Sequence, residues 1–148
     1  MGLQEAVKTC LSKYADFNGR ARRSEYWFWA LAVGLAIFAI EILALIFLAV
    51  AKPLGILLFV VLVVVALGAI VPGIAVTVRR LHDTGKPGVY ILFGLIPLVG
   101  GIIMLVFTVS DSVPGDNQYG PNPKGIGGGA PGMGYGQPPA GYGQPPAR

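Results

Sequence analysis

The chain has 148 residues, of which 54% are hydrophobic and only 12% are charged, and its formal net charge is +4. A soluble domain usually carries about a quarter charged residues, and the apolar residues here lie in long runs, which excludes a water-soluble core as their main destination. The basic residues cluster beside those runs, with no separate basic patch interleaved with aromatics, so nucleic acid is not an expected partner.

Cys10 is the only cysteine and His82 the only histidine. An internal disulfide is therefore impossible, and no metal site is expected, because a single histidine without a cysteine cluster is not a zinc site. Glycines at 127, 129 and 132 have the spacing of a dinucleotide fingerprint, but Pro131 interrupts it and no strand precedes it. The sequence predicts no cofactor.

Residues 3–14 predict a short amphipathic helix. Its apolar side chains, at Leu3, Val7, Cys10, Leu11 and Tyr14, recur at helical spacing. Two interpretations stay open: the helix lies in the membrane interface, or it packs on a partner or on the end of the helix bundle. The same region lacks the continuous apolar stretch of a signal peptide, so we expect the first apolar run to remain as an anchor.

Three apolar runs follow, and they predict transmembrane helices at about 27–50, 54–78 and 89–109. Each reaches the roughly 20 residues that a span needs. The valines and isoleucines do not indicate strands, because an open sheet cannot satisfy its backbone in lipid. The predicted fold class is an all-α membrane protein: an N-terminal amphipathic interfacial helix and three transmembrane helices.

The composition divides the chain into a polytopic membrane domain, 1–112, and a Gly/Pro-rich remainder, 113–148. The remainder carries the heptapeptide GYGQPPA twice in tandem, at 134–140 and 141–147. Such a composition cannot bury enough apolar surface to offset chain entropy, and it predicts a disordered tail.

Two polar stretches border the spans. The first contains Arg20, Arg22 and Arg23 and runs into the aromatic residues Tyr26, Trp27 and Trp29, which are typical of the headgroup level. The second, 79–88, follows the second span. Its candidate binding residues are Arg79, Arg80, His82, Asp83 and Lys86.

The short loop between the first and second predicted spans contains a single basic residue, Lys52. Cytoplasmic loops are enriched in Lys and Arg, which predicts a cytoplasmic N-terminus and a cytoplasmic 79–88 loop. Three spans would then put the tail outside. The six cations of the two stretches are expected to form one belt that binds anionic headgroups.

Glu41 is the only charged residue within the predicted first span. It lies about 21 Å deep at 1.5 Å per residue, where a charged carboxylate is costly and should face protein. Pro72 has no N–H, so it frees the carbonyl of Gly68 on the second span. We expect Glu41 to be protonated and to hydrogen-bond near that carbonyl.

The two polar stretches also resemble a known family. FxGRxRRSEYW at 17–27, RRLHDTGKPG at 79–88 and PGxNxYGPNP at 114–123 look like the signatures of domain of unknown function 805, a family of small bacterial inner-membrane proteins. The resemblance covers roughly 10–123. It implies a multi-pass protein of the bacterial cytoplasmic membrane and implies no activity.

Catalysis is not expected, because nothing in the spacing holds a nucleophile beside the His82–Asp83 pair. Two function classes remain. The first is a non-enzymatic membrane module that binds anionic lipid headgroups, or a membrane protein partner that could be a second copy. The second is a component that moves a small solute or a proton, with Glu41 in its path.

Overall fold

The structure, a computed structural model, describes residues 1–126, and in this range the chain is helical with no β-strand. Its elements in chain order are α1 (Leu3–Ser12), α2 (Arg23–Val50), α3 (Lys52–Asp83), a 3-10 helix (Gly88–Leu95) and α4 (Gly100–Val109). The all-α class is confirmed. The tandem repeat at 134–147 lies outside the described residues.

Helices α2 and α3 form a tight antiparallel hairpin of two long apolar helices, each able by length and composition to span a membrane. The chain reverses at Ala51, whose N–H donates to Phe47 O at 2.7 Å and whose carbonyl accepts from Leu54 N at 2.9 Å. Pro53 is well placed just after the reversal, because the first turn of a helix needs no intrahelical N–H donor. The predicted first and second spans lie within these helices.

The α2–α3 hairpin depends on the absence of a side chain at Gly55. A Cβ there would lie 2.4 Å from Leu48 N and 2.6 Å from Leu48 Cα. We expect Gly55→Ala to force the helices apart and to lower the free energy of unfolding by about 1–3 kcal/mol, the usual cost of overpacking. Gly68→Ala in the same helix is the matched control, since a Cβ on Gly68 would meet nothing within 4 Å. Equal melting temperatures of the two variants in mild detergent would contradict this account.

The prediction of a third transmembrane helix over 89–109 is wrong. These residues form the 3-10 helix and α4, which run back along each other. The reversal occurs at Pro97 and at Leu98, whose φ of +67° turns the chain. Because a non-glycine residue rarely adopts positive φ, the sequence pattern of a continuous apolar run hides this turn. We call residues 88–109 the re-entrant hairpin.

The two arms of the re-entrant hairpin are packed by aromatic rings and by close backbone contact. The Tyr90 and Phe93 ring centroids lie 5.9 and 6.3 Å from that of Phe107. A Cβ on Gly100 would lie 2.4 Å from the carbonyl oxygen of Phe93. Helix α4 has 10 residues, so it extends about 15 Å, half of the roughly 30 Å hydrocarbon core.

Because the hairpin returns, residues 110–126 lie at the same end of the molecule as residues 79–88. Val113 N donates to Asp83 O at 3.0 Å, and Asn117 Nδ2 donates to His82 O at 2.9 Å. The prediction that the tail lies across the membrane from residues 79–88 is therefore wrong for 110–126. The prediction of disorder from residue 113 onward is also wrong as far as residue 126, and residues 127–148 lie outside the described range.

Helix α1 is present and packs on the bundle. Cys10 is fully buried in a cluster with Ala21, Trp29 and Val76. This contact corresponds to the second interpretation of the helix, packing on the bundle's end. Leu3 and Leu11 remain 41% and 52% exposed, so the predicted placement of α1 in the membrane interface stays a prediction.

The freed carbonyl of Gly68 has a partner other than the expected one. Pro72 lies inside α3, and the Tyr14 hydroxyl donates to Gly68 O at 2.6 Å. Glu41 is exposed on α2 instead. The expected Glu41–Gly68 contact is wrong, because Tyr14 reaches the carbonyl from the segment after α1, which the sequence does not place beside α3.

Candidate functional site

We call the end of the molecule at which residues 79–88 and 110–126 meet the polar end. It holds a cluster of buried charges. The side chains of Arg20, Arg79 and Arg80 are 1%, 0% and 0% exposed, and those of their acidic partners Glu25 and Asp83 are 6% and 0% exposed. We call these five residues the arginine cluster. Arginines and acids are seldom fully buried unless paired, so the cluster is a built feature of the fold.

Asp83 is the centre of the arginine cluster. Its Oδ1 accepts from Arg20 Nε at 3.0 Å, and its Oδ2 accepts from Arg80 Nη1. The Ser112 hydroxyl donates to the same Oδ2 at 2.6 Å. One carboxylate thus joins the segment before α2, the end of α3 and the segment after α4. Each of these bonds is charge-assisted, and such bonds are stronger than those between neutral groups.

Arg20 also holds the chain that follows α4. Its Nη2 donates to Val113 O at 2.7 Å, and its Nη1 donates to Gly115 O at 2.8 Å and to Gly120 O at 3.3 Å. A guanidinium presents its donors in a rigid planar fork, so it can bind several carbonyls at once. This contact explains why residues 113–120 are ordered although their composition suggests otherwise.

Arg80 plays the same part for the end of the re-entrant hairpin. Its Nε donates to Thr108 O at 3.0 Å, its Nη1 to Ala21 O at 3.2 Å, and its Nη2 to Ser110 O. Thr108 and Ser110 lie at the C-terminal end of α4. The carbonyls there have no intrahelical donor, so the buried cation both satisfies them and complements the negative end of the helix.

Arg79 pairs with Glu25 in the first turn of α2, with Nη1 and Oε1 2.9 Å apart. Among the described residues, Arg79 Nε, Nη1 and Nη2 have no partner with hydrogen-bond geometry, and neither has Glu25 Oε1. The pair is therefore held by charge more than by aligned hydrogen bonds. The backbone carbonyl of Arg79 accepts from Ala21 N at 2.9 Å, which fixes the segment before α2 against α3.

Cys10 lies next to this pair. Burial, together with the negative charge of Glu25, raises the pKa of the Cys10 thiol to about 11. A thiol with a raised pKa is neutral at physiological pH and is a poor nucleophile. Cys10 is thus a packing residue, in agreement with the expectation of an apolar position on a helix face.

His82 lies in the last turn of α3 and is held there by the segments before α2 and after α4. Its ring stacks on that of Tyr119, with centroids 3.8 Å apart and planes 2° apart. Its Nδ1 lies 3.2 Å from Gly19 O. Asn117 Nδ2 donates to the His82 carbonyl. These contacts attach residues 117–119 to the end of α3.

The expected belt of six surface cations is only partly present. Arg20, Arg79 and Arg80 are buried in the arginine cluster, which corrects their prediction as headgroup ligands. Arg23 is exposed and Arg22 half-buried, with Nη2 donating to Pro123 O at 2.8 Å. Lys86 is half-buried with Nζ 4.8 Å from the Phe107 ring centroid.

Several polar residues that complete this end of the molecule are not identified by the sequence alone. Thr108, Ser112, Asn117 and Asn122 all bond to the polar end, and Asn122 Nδ2 donates to Val113 O at 2.8 Å. A signal was available, since two asparagines and a serine interrupt a Gly/Pro-rich stretch directly after an apolar run. The prediction of a third span hides this signal, because that span would place the stretch on the other side of the membrane.

Two cavities lie deeper, beside α2 and α3. One of about 620 Å³ is bordered by α2, α3 and the re-entrant hairpin, and one of about 350 Å³ by α1, α2 and α3. Their linings are mostly apolar, and neither includes Glu41. Apolar cavities of this kind fit hydrocarbon better than a polar solute.

Comparison with known proteins gives a consistent result. The family model described as "Protein of unknown function (DUF805)" matches residues 14–121. The chain is 35% identical over 114 residues to the Escherichia coli K12 inner membrane protein YhaI, covering 77% of this chain and 91% of the relative. It is 38% identical over 115 residues to the inner membrane protein YhaH of the same strain, covering 77% and 92%. No solved structure matches the chain.

Proposed function

Since the chain belongs to the DUF805 family of inner membrane proteins of unknown function, we propose that it is a non-enzymatic membrane module that binds anionic lipid headgroups. The cations that bind are those outside the arginine cluster: the exposed Arg23 and the half-buried Lys86, with the half-buried Arg22 beside them. Arg20, Arg79 and Arg80 act indirectly, by fixing the segments that carry the exposed cations.

The observation that carries the proposal is the division of the basic residues into two sets. The buried arginines already have acids and carbonyls as partners, whereas Arg23 has no acid within ion-pair distance among the described residues. Trp27, one turn further along α2, is 39% exposed. An exposed tryptophan is typical of the headgroup level of a membrane. A free cation one helical turn away from it is placed to bind lipid phosphate.

The proposal includes the orientation of the protein in the membrane. The segment before α2 contains Lys8 and Lys13 as well as arginines, and the end of α3 and the segments after it contain Arg79, Arg80, Lys86 and Lys124. The turn between α2 and α3 has only Lys52. The charge asymmetry favours a cytoplasmic polar end, and with it a cytoplasmic N-terminus and cytoplasmic residues 110–126. Anionic lipids at the cytoplasmic surface would then meet Arg23 and Lys86 directly.

Transport is the less favoured function. Glu41 lies outside both apolar cavities, and it makes no ion pair with the described residues. A proton or solute path usually needs several polar groups in series within the membrane. Uptake of protons by proteoliposomes that hold the wild-type protein, absent in a Glu41→Gln variant, would favour transport over lipid binding.

The test of lipid binding is to remove two cations that lie outside the arginine cluster while leaving the cluster intact. In native mass spectrometry of protein extracted from its membrane, Arg23→Gln with Lys86→Gln should retain at least fivefold less phosphatidylglycerol or cardiolipin. A single headgroup contact is worth about 1 kcal/mol, close to a fivefold change in occupancy.

Lys52→Gln is the control, because it removes a charge at the opposite end, and it should retain lipid like the wild type. The remaining basic residues of the polar end keep the charge asymmetry, so insertion should not change. Equal retention in the double variant and the control would refute headgroup binding by these cations.

A further inference from the structure

The tip of the re-entrant hairpin leaves backbone groups without partners. Leu98 is 97% exposed and has a φ of +67°. Within residues 1–126, no group accepts a hydrogen bond from the backbone N–H of Leu98, Gly101 or Ile102. Because α4 extends about 15 Å from the polar end, this tip reaches the hydrocarbon core. Irregular backbone at that depth is stable only where protein or enclosed water covers it.

Glu41 is a second uncovered polar group in the same layer. It is exposed on α2 and makes no hydrogen bond or ion pair with any residue from 1 to 126. It follows Ala30, Gly34 and Ile37 at helical spacing, and these three line the cavity between α2, α3 and the re-entrant hairpin. Glu41 therefore continues the α2 face that borders this cavity, with the re-entrant hairpin on the other side of the cavity.

The Glu41 carboxyl and the free backbone N–H groups of the hairpin tip lie at nearly the same depth from the polar end. Glu41 lies about 16 residues, or roughly 24 Å, along α2 from Glu25 at the polar end. Side chains on a helix point toward its N-terminus, which brings the Glu41 carboxyl about one turn of 5.4 Å closer to the polar end. The free N–H groups at the start of α4 lie about 15–18 Å from the same end, so carboxyl and amides occupy nearly one layer.

We propose that a second copy of this chain covers this face, and that the Glu41 carboxyl of each copy accepts hydrogen bonds from the tip amides of the other. A carboxyl group suits the start of α4, where the helix dipole is positive. In a two-fold symmetric interface the same surface of each copy must complement itself. This surface meets that requirement, because it carries both the tip amides and the Glu41 carboxyl.

Two further features fit a second copy. Ala30 and Gly34 are exposed on this face, and a Cβ on Gly34 would meet nothing, so another helix can approach closely there. The strong charge asymmetry gives every copy the same orientation, which puts the two tips at equal depth. The two-fold axis then runs along the membrane normal. This interface lies apart from the cations of the headgroup proposal, so either proposal can fail alone.

The first test is the oligomeric state of the full chain in a mild detergent. Native mass spectrometry should find a species of twice the 15.5 kDa chain mass. Glu41→Leu removes the acceptor and should raise the dimer dissociation constant at least tenfold. Glu41→Gln keeps a carbonyl acceptor and should change it less than threefold. Leu43→Ala, at an exposed position on the opposite face of α2, should leave it unchanged.

The second test locates the contact. Two differently tagged copies, both Cys10→Ser, are co-expressed, one with Glu41→Cys and the other with Ile102→Cys. Oxidation in membranes should join the two tags in one disulfide-linked dimer, while Leu43→Cys with Ile102→Cys should not. A monomeric wild type, a dimer insensitive to Glu41→Leu, or no disulfide between the Glu41→Cys and Ile102→Cys copies would each overturn the proposal, as would capture of a different membrane protein in place of the second copy.

Discussion

Asp83→Asn should prevent the protein from accumulating in a folded, monodisperse form. The change keeps the size of the side chain but removes the negative charge that Arg20 and Arg80 share at the centre of the arginine cluster. Removing one partner of a buried ion pair leaves an uncompensated charge and costs about 3–5 kcal/mol, and here two arginines lose their partner. The measurement is the yield and melting temperature of the variant in mild detergent by fluorescence-detected chromatography.

Asp111→Asn is the matched control for this prediction. Asp111 lies a few residues beyond α4 and pairs with Lys124, but it is 65% exposed. Exposed ion pairs add little to stability, so this variant should melt like the wild type. If Asp83→Asn melted at the same temperature as Asp111→Asn, the arginine cluster would not be what holds residues 110–123 to the polar end.

Thiol labelling should place both ends of the described chain on one side of the membrane, with an all-or-none result. In a Cys10→Ser background, an impermeant reagent applied to intact cells should label Lys52→Cys in the turn between α2 and α3. It should not label Asp116→Cys, which lies in the segment bound to Arg20 and His82. The reason is that the re-entrant hairpin crosses only half of the core and returns.

Permeabilised cells supply the control, since Asp116→Cys should label once the reagent reaches the cytoplasm. Both positions are exposed, so a lack of labelling in intact cells cannot be due to burial. Labelling of Asp116→Cys in intact cells together with no labelling of Lys52→Cys would mean that the molecule is inverted. Labelling of both would mean that residues 88–109 cross the membrane.

The sequence by itself determined the class of the protein and its two long spans. An apolar run long enough to cross the bilayer core is expected to be a transmembrane helix, because a helix satisfies the hydrogen bonds of its own backbone in lipid. The reversal at Ala51 follows from a local rule as well, since a proline such as Pro53 is favoured in the first turn of a helix. The motifs around Arg20 and Arg79 were also visible, and they led to the family that the comparisons found.

Only the tertiary structure decided what those motifs do. Residues 88–109 are as apolar as a span, but whether they cross or return depends on one positive φ at Leu98 and on close packing at Gly100. The return brings Val113 and Ser112 to Arg20 and Asp83, more than 25 residues away in sequence. Arginines that charge patterning assigns to lipid are buried for this reason. The sequence pattern shows which residues are polar, but it does not show which groups they bond to. Those partners depend on contacts between segments that are distant in sequence.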